Sequence, residues 1–120
     1  MLREIKTKTE HYFVDENNLK QGEYKDYHDY QFKHLWEHSF RLNDKRHGEY
    51  KAYHYNGQLS VHTFYQYGKL HGEFIRYHKN GNPYYATFHY QGKDLNVNPN
   101  TLTQKDKTYM LLSGRLPHRD

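Results

Sequence analysis

The heptapeptide Gly22-Glu23-Tyr24-Lys25-Asp26-Tyr27-His28 recurs as Gly48-Glu49-Tyr50-Lys51-Ala52-Tyr53-His54. It returns as Gly72-Glu73-Phe74-Ile75-Arg76-Tyr77-His78. The last two copies lie 24 residues apart and stay in step downstream. Asn56-Gly57 aligns with Asn80-Gly81, Thr63-Phe64 with Thr87-Phe88, and Gly68-Lys69 with Gly92-Lys93. The first copy precedes the second by 26 residues, whereas Phe40 precedes Phe64 by 24, so two extra residues fall between His28 and Phe40. A unit this short cannot bury a core alone, so successive copies must stack on one another.

Each unit reads as a β-hairpin. Asn-Gly is the strongest two-residue hairpin signal, because both turn positions favour φ > 0. The first unit lacks it and has Asp29-Tyr30-Gln31-Phe32-Lys33-His34 instead, a longer, more aromatic tip. Alternation along a strand puts Tyr24, Tyr50 and Phe74 on one face with His28, His54 and His78. The other face takes Glu23, Glu49 and Glu73, then Lys25, Lys51 and Ile75, then Tyr27, Tyr53 and Tyr77. Phe40, Phe64 and Phe88 are expected to join the Tyr24 column as the packed side, leaving the Tyr27 column accessible.

These units give a single domain over 1–120. It comprises a half repeat at 11–21, repeats at 22–47, 48–71 and 72–95, and a tail at 96–120. In the half repeat Val14 takes the place of Phe40. In the tail, Thr101 or Thr103 can cap a helix over about 101–113 that Gly114 ends. Leu102, Tyr109, Leu112 and Leu116 fall near one face of such a helix, which would cover the last, open strand. The fold class is therefore mainly β: a single-layer, twisted antiparallel sheet of about seven strands in stacked hairpins, with a short C-terminal capping helix.

Composition supports a thin aromatic layer. The chain has 14 Tyr, 6 Phe and 1 Trp, and disordered chains are poor in such rings. It has no cysteine, which excludes disulfides and Cys-ligated zinc and fits a reducing compartment. No signal-like apolar run opens the sequence, and none is long enough to span a bilayer, so a cytoplasmic location is expected. The net charge of +4 is mildly basic.

The Gly-Glu-aromatic-x-x-Tyr opening, the Asn-Gly turn and the Gly-Lys-Leu-His-Gly junction resemble MORN repeats. The likeness is to the variant form with a period in the mid-twenties found in bacteria, phages and giant viruses. It covers residues 18–95, most closely 48–95. The resemblance implies an extended antiparallel sheet and a scaffold or interaction role; lipid binding has been proposed for some members. It maps the family's structural glycines and aromatics onto Gly22, Gly48, Gly72, Tyr24, Tyr50, Phe74, Tyr27, Tyr53 and Tyr77.

No chemistry follows from those positions. Equivalent residues of successive repeats are two strands, ~10 Å, apart, so His28, His54 and His78 cannot share one metal ion. The acidic residues repeat rather than converge, and pair more naturally with lysines across strands, so neither an enzyme nor a cofactor is expected. The expected role is a non-enzymatic binding module for a protein partner. By analogy alone it would be a scaffold, an antitoxin, or a phage or viral inhibitor of a host complex. The alternative is single-stranded nucleic acid stacked on a Tyr/Lys/Arg surface of Tyr27, Tyr53, Tyr77, Lys25, Lys51 and Arg41. Lipid or glycan ranks below both, and self-association through a sheet edge is open. A second candidate anchor is the irregular cluster of Tyr30, Phe32, Leu35 and Trp36, which is either a cap over the half repeat or an exposed binding anchor.

Overall fold

A computed structural model describes residues 1–118; the tail's positions 119 and 120 lie outside the described residues. The sheet runs in chain order: β1 (Arg3–Lys6), β2 (Glu10–Val14), β3 (Gly22–Tyr27), β4 (Leu35–Leu42), β5 (Lys45–Arg46), β6 (Gly48–Tyr53), β7 (Leu59–Gln66), β8 (Lys69–Tyr77), β9 (Pro83–Tyr90) and β10 (Lys93–Asp94). Each strand pairs antiparallel with its neighbour, except that β5 folds back on β4 and β6 takes the next place along the sheet. A 3₁₀ turn at Pro99–Thr101 leads into α1 (Gln104–Ser113). The expected fold class stands, although the described residues form ten strands rather than seven.

Two kinds of turn alternate. At Asn43-Asp44, Tyr67-Gly68 and Gln91-Gly92 both central residues have φ > 0, the geometry of a two-residue type I′ hairpin turn. At the Asn-Gly tips only the glycine is left-handed, with φ 90° at Gly57 and 93° at Gly81. There Gly57 N–H donates to the His54 carbonyl at 2.9 Å, and His54 N–H closes the loop onto Gln58 at 2.8 Å. Asn-Gly thus ends a three-residue loop, and the tightest turns sit at the Gly-Lys junctions. The first tip closes instead from His28 N–H to His34 at 2.7 Å, which places the two extra residues in the tip, as expected.

Just behind each tip lies a β-bulge. Tyr27 pairs with Leu35 while Asp26 pairs with Glu37, so Trp36 is the extra residue. Ser60 and Tyr84 hold the same position in the next two repeats. Bulges re-aim side chains. Here the Trp36 ring stacks on His28 at 4.7 Å, and Tyr84 stacks on His78 at 4.2 Å.

The register corrects the expected faces. Phe40 pairs with Glu23, Phe64 with Glu49 and Phe88 with Glu73. Directly opposed residues share a face, so the three phenylalanines lie together, on the side of Tyr27, Tyr53 and Tyr77. They do not join Tyr24, Tyr50 and Phe74. Sorting rings with rings was the natural expectation, but ladder pairing decides side-chain direction whatever the side chain is.

The half repeat is likewise a full hairpin. β1, absent from the expectation, sets Glu4 opposite Phe13 as Glu23 is opposite Phe40. Phe13, not Val14, therefore occupies the Phe40 position, and the extra residue lies in the turn that follows β2.

The face of Tyr24, Tyr50 and Phe74 has no second layer among the described residues. Its rings are covered by guanidiniums: Arg41 lies 4.1 Å over Tyr24, Arg46 5.1 Å over Tyr50, and Arg76 4.9 Å over Phe74. Arg41 and Arg46 both reach the buried Glu37, at 3.4 and 3.3 Å. Tyr24 donates to the Glu10 carboxylate, and burial with this bond pushes its phenol above the usual range.

α1 packs on the phenylalanine face, over β8 and over Phe88 of β9. Thr103 caps it through a reciprocal capping box with Asp106, and Gly114, at φ 71°, ends it. The core lies beneath: Phe88, Leu95 and Met110, joined by Tyr90, Val97, Leu102 and Leu111. Tyr109, Leu112 and Leu116 point outward, contrary to the expected helix face. The inward positions are Lys107, Met110 and Leu111, spaced i, i+3, i+4.

Candidate functional site

The phenylalanine face carries one motif four times. Its members are Glu4, His11 and Phe13; Glu23, His38 and Phe40; Glu49, His62 and Phe64; and Glu73, Ala86 and Phe88. In each, the glutamate stands across the ladder from the phenylalanine. In the first three, the imidazole packs beside the ring at 5.5, 5.5 and 5.2 Å. The same imidazole takes the glutamate at 3.0, 2.8 and 2.8 Å. His62 donates to Glu49, and that bond holds the Glu49 carboxyl below the ordinary carboxylate range.

The sequence predicted glutamates paired with lysines across strands. The cross-strand partners are histidines, while Lys25 and Lys51 approach Glu23 and Glu49 along their own strands, at 3.9 and 3.8 Å. The reason is register: His38 faces Lys25 and His62 faces Lys51, so each imidazole sits diagonal to the glutamate.

The fourth unit differs. Ile75 faces Ala86 where Lys51 faces His62. Without a lysine or an imidazole on its own hairpin, Glu73 takes Lys107 from α1 at 2.5 Å. The helix seals this unit, and Phe88 is 1% exposed. Phe64 and Phe40, at the equivalent positions, are 37% and 36% exposed. Beside α1 a cleft of about 460 Å³ is lined by Gly48, His62, Phe64, Gln104, Lys107 and Leu111, among others.

The expected site residues divide. Tyr27, Tyr53 and Tyr77 are half-buried, and their column is partly structural. The His28 ring donates to the Tyr53 carbonyl at 3.0 Å and the His54 ring to the Tyr77 carbonyl at 2.8 Å, each clasping one tip to the next repeat. Lys25 and Lys51 share the face of the three tyrosines. Arg41 lies on the opposite face beneath its contact with Tyr24, so the expected Tyr/Lys/Arg surface is not one surface.

Tyr30 and Trp36 are exposed at the first tip, Trp36 by 52%. Trp36 is therefore no cap over a core; one side of its ring rests on His28. Tyr55 joins this cluster by stacking on His34 at 4.2 Å.

The open phenylalanine column escaped the sequence reading, although the repeated His-x-Phe triplets at 11–13, 38–40 and 62–64 signal it. No protein-family model matches the chain, and no curated protein matches it. Among the described residues no helix is long and apolar enough to cross a membrane. No group of three or more His, Asp or Glu among them is placed to hold a metal ion.

Proposed function

We propose that the chain is a non-enzymatic interaction module that binds a partner protein on the open part of the phenylalanine face. One observation carries this reading. Phe40 and Phe64 repeat the position of Phe88, yet they stand more than a third exposed where Phe88 is sealed. Large rings in a contiguous row beside a cleft mark interaction surfaces more often than solvated ones. The MORN-like repeat pattern supports the same reading, since such sheets serve as scaffolds. An inhibitor or antitoxin role is what that analogy adds, and the partner's identity will separate the two.

Single-stranded nucleic acid is the second reading, favoured by exposed Tyr30, Trp36 and Tyr55 at one end of the sheet. It is weakened by the ion pairs that engage Lys25, Lys51, Arg41 and Arg46. Binding through several phosphates would fall by orders of magnitude between low and moderate salt.

The test is affinity capture with the wild-type chain and a Phe40→Ser/Phe64→Ser variant, followed by binding measurements with the purified partner. Loss of binding with an unchanged circular dichroism spectrum supports the face. Equal binding by the folded variant moves the site to the Trp36 tip or to the face of Tyr24 and Tyr50.

A further inference from the structure

We infer that the partner presents an amphipathic α-helix, laid over Phe64 beside α1 with an uncharged contact face. This inference rests on the docking-face reading and names the class of partner. The chain itself shows what seats on this face. Over the fourth unit α1 directs Met110, fully buried, at Phe88, and directs Lys107 at Glu73.

The third unit offers the same floor one repeat away. Successive repeats are two strands, ~10 Å, apart, and packed helices keep their axes about 8–10 Å apart. A helix seated on Phe64 as α1 is seated on Phe88 would therefore also pack along the flank of α1. The cleft of about 460 Å³ lies in that position, with Gln104, Lys107 and Leu111 as one wall and Phe64 and His62 on the other side. The two seats are continuous. The Phe64 ring and a Leu111 methyl close on the point where a Gly72 side chain would stand, at 3.5 and 3.8 Å.

The charge pattern sets what the helix must carry. Glu73 has no strand lysine beside it, and the one imidazole diagonal to it, His62 across the β7–β8 ladder, is already engaged by Glu49, so it takes the helix lysine. Glu49 already accepts from His62 at 2.8 Å and lies 3.8 Å from Lys51. A second lysine arriving there would meet Lys51 and a carboxylate already engaged by His62. The occupant of this seat therefore brings aliphatic side chains at i, i+3 and i+4, with no lysine at the position of Lys107.

The probe is a synthetic peptide of residues 101–116 with Tyr109→Glu, held helical by a lactam between Lys105 and that outward position. It is made with Lys107 and with Lys107→Met, and each form is titrated into the full chain. The Lys107→Met peptide is expected to bind one-to-one and about tenfold tighter than the Lys107 form. Phe64→Ala in the protein should weaken it by at least ~10-fold. The double change Lys51→Ile/His62→Ala gives the third unit the pattern of Ile75 and Ala86 and should reverse the preference between the two peptides. Absence of saturable binding, binding indifferent to Phe64→Ala, or a preference unmoved by Lys51→Ile/His62→Ala would each overturn the inference. The two readings fail separately: a partner that is lost on Phe64→Ala but not displaced by either peptide removes the helix and leaves the face, whereas a partner unaffected by Phe64→Ala removes the face.

Discussion

Lys107 meets Glu73 at 2.5 Å where the lysine and the imidazole that attend Glu23 and Glu49 from their own hairpins are replaced by Ile75 and Ala86. The helix thus docks where the hairpin has given up its own lysine and imidazole partners. Lys107→Met should leave Glu73 partly buried without a cation and lower stability by about 1–2 kcal/mol. Adding Glu73→Gln should restore most of that loss. Urea midpoints of the two single variants and the double variant measure the coupling, and additive losses would mean the pair does not act as one.

Phe88 and Phe64 are the same residue at the same place in successive units, so they form an internal control for burial. Phe88→Ala should cost ~3–5 kcal/mol, as a sealed ring does. Phe64→Ala should cost closer to ~1 kcal/mol, because much of its ring is already in water. Chemical unfolding of both variants tests this; equal losses would show that Phe64 is as fully packed as Phe88.

These two residues also show how far the sequence could be read. The 24-residue period, the hairpin units, the long first tip and the helix with its Thr103 and Gly114 ends are all legible, because each rests on local spacing or local φ preference. The face of Phe64 was misjudged because it depends on which residue lies across the ladder, a pairing fixed by turns and bulges together. The inward side of α1 was misread for a related reason. Leu112 is the better hydrophobe on its own, but Met110 is the one that points at Phe88. β1 escaped notice because Arg3-Glu4-Ile5-Lys6 carries only one apolar residue, and its strand conformation comes from its partner β2.

At the tips, His28 ties one repeat to the next through the Tyr53 carbonyl and supports Trp36 by stacking. His28→Ala removes a hydrogen bond and a ring contact, and should cost about 1–2 kcal/mol. Trp36 is the chain's one tryptophan, so its fluorescence reports the site directly. A red-shifted emission in the folded variant is expected, and an unchanged spectrum would show that the stack does not hold Trp36 in place.

His71 lies beside the cleft and its Nδ1 accepts from the Gln91 N–H at 3.1 Å. A protonated ring could not accept that bond, and burial depresses its pKa below the ordinary 6.5. The unfolded chain therefore binds a proton that the folded chain refuses. Stability contributed by His71 is present above pH 6.5 and diminishes as the pH falls through 6.5 towards the lower folded value. Unfolding midpoints of the wild type and His71→Gln at pH 7.5 and 5.5 should differ in their pH response, the wild type losing more. Parallel losses would remove His71 from the account.

The type I′ turns at Asn43-Asp44, Tyr67-Gly68 and Gln91-Gly92 return the chain to the sheet in the same posture each time. Residues 48–71 therefore enter and leave their place in equivalent geometry, as links in a chain do. The protein is in effect a gauge graduated in steps of ~10 Å. Duplicating that segment should move the helix-bearing end one graduation further from β1 and open one more phenylalanine seat, with neither end aware of the change. Reach and number of seats are thus set by a single integer, on which insertion or deletion of whole repeats can act without redesigning any contact.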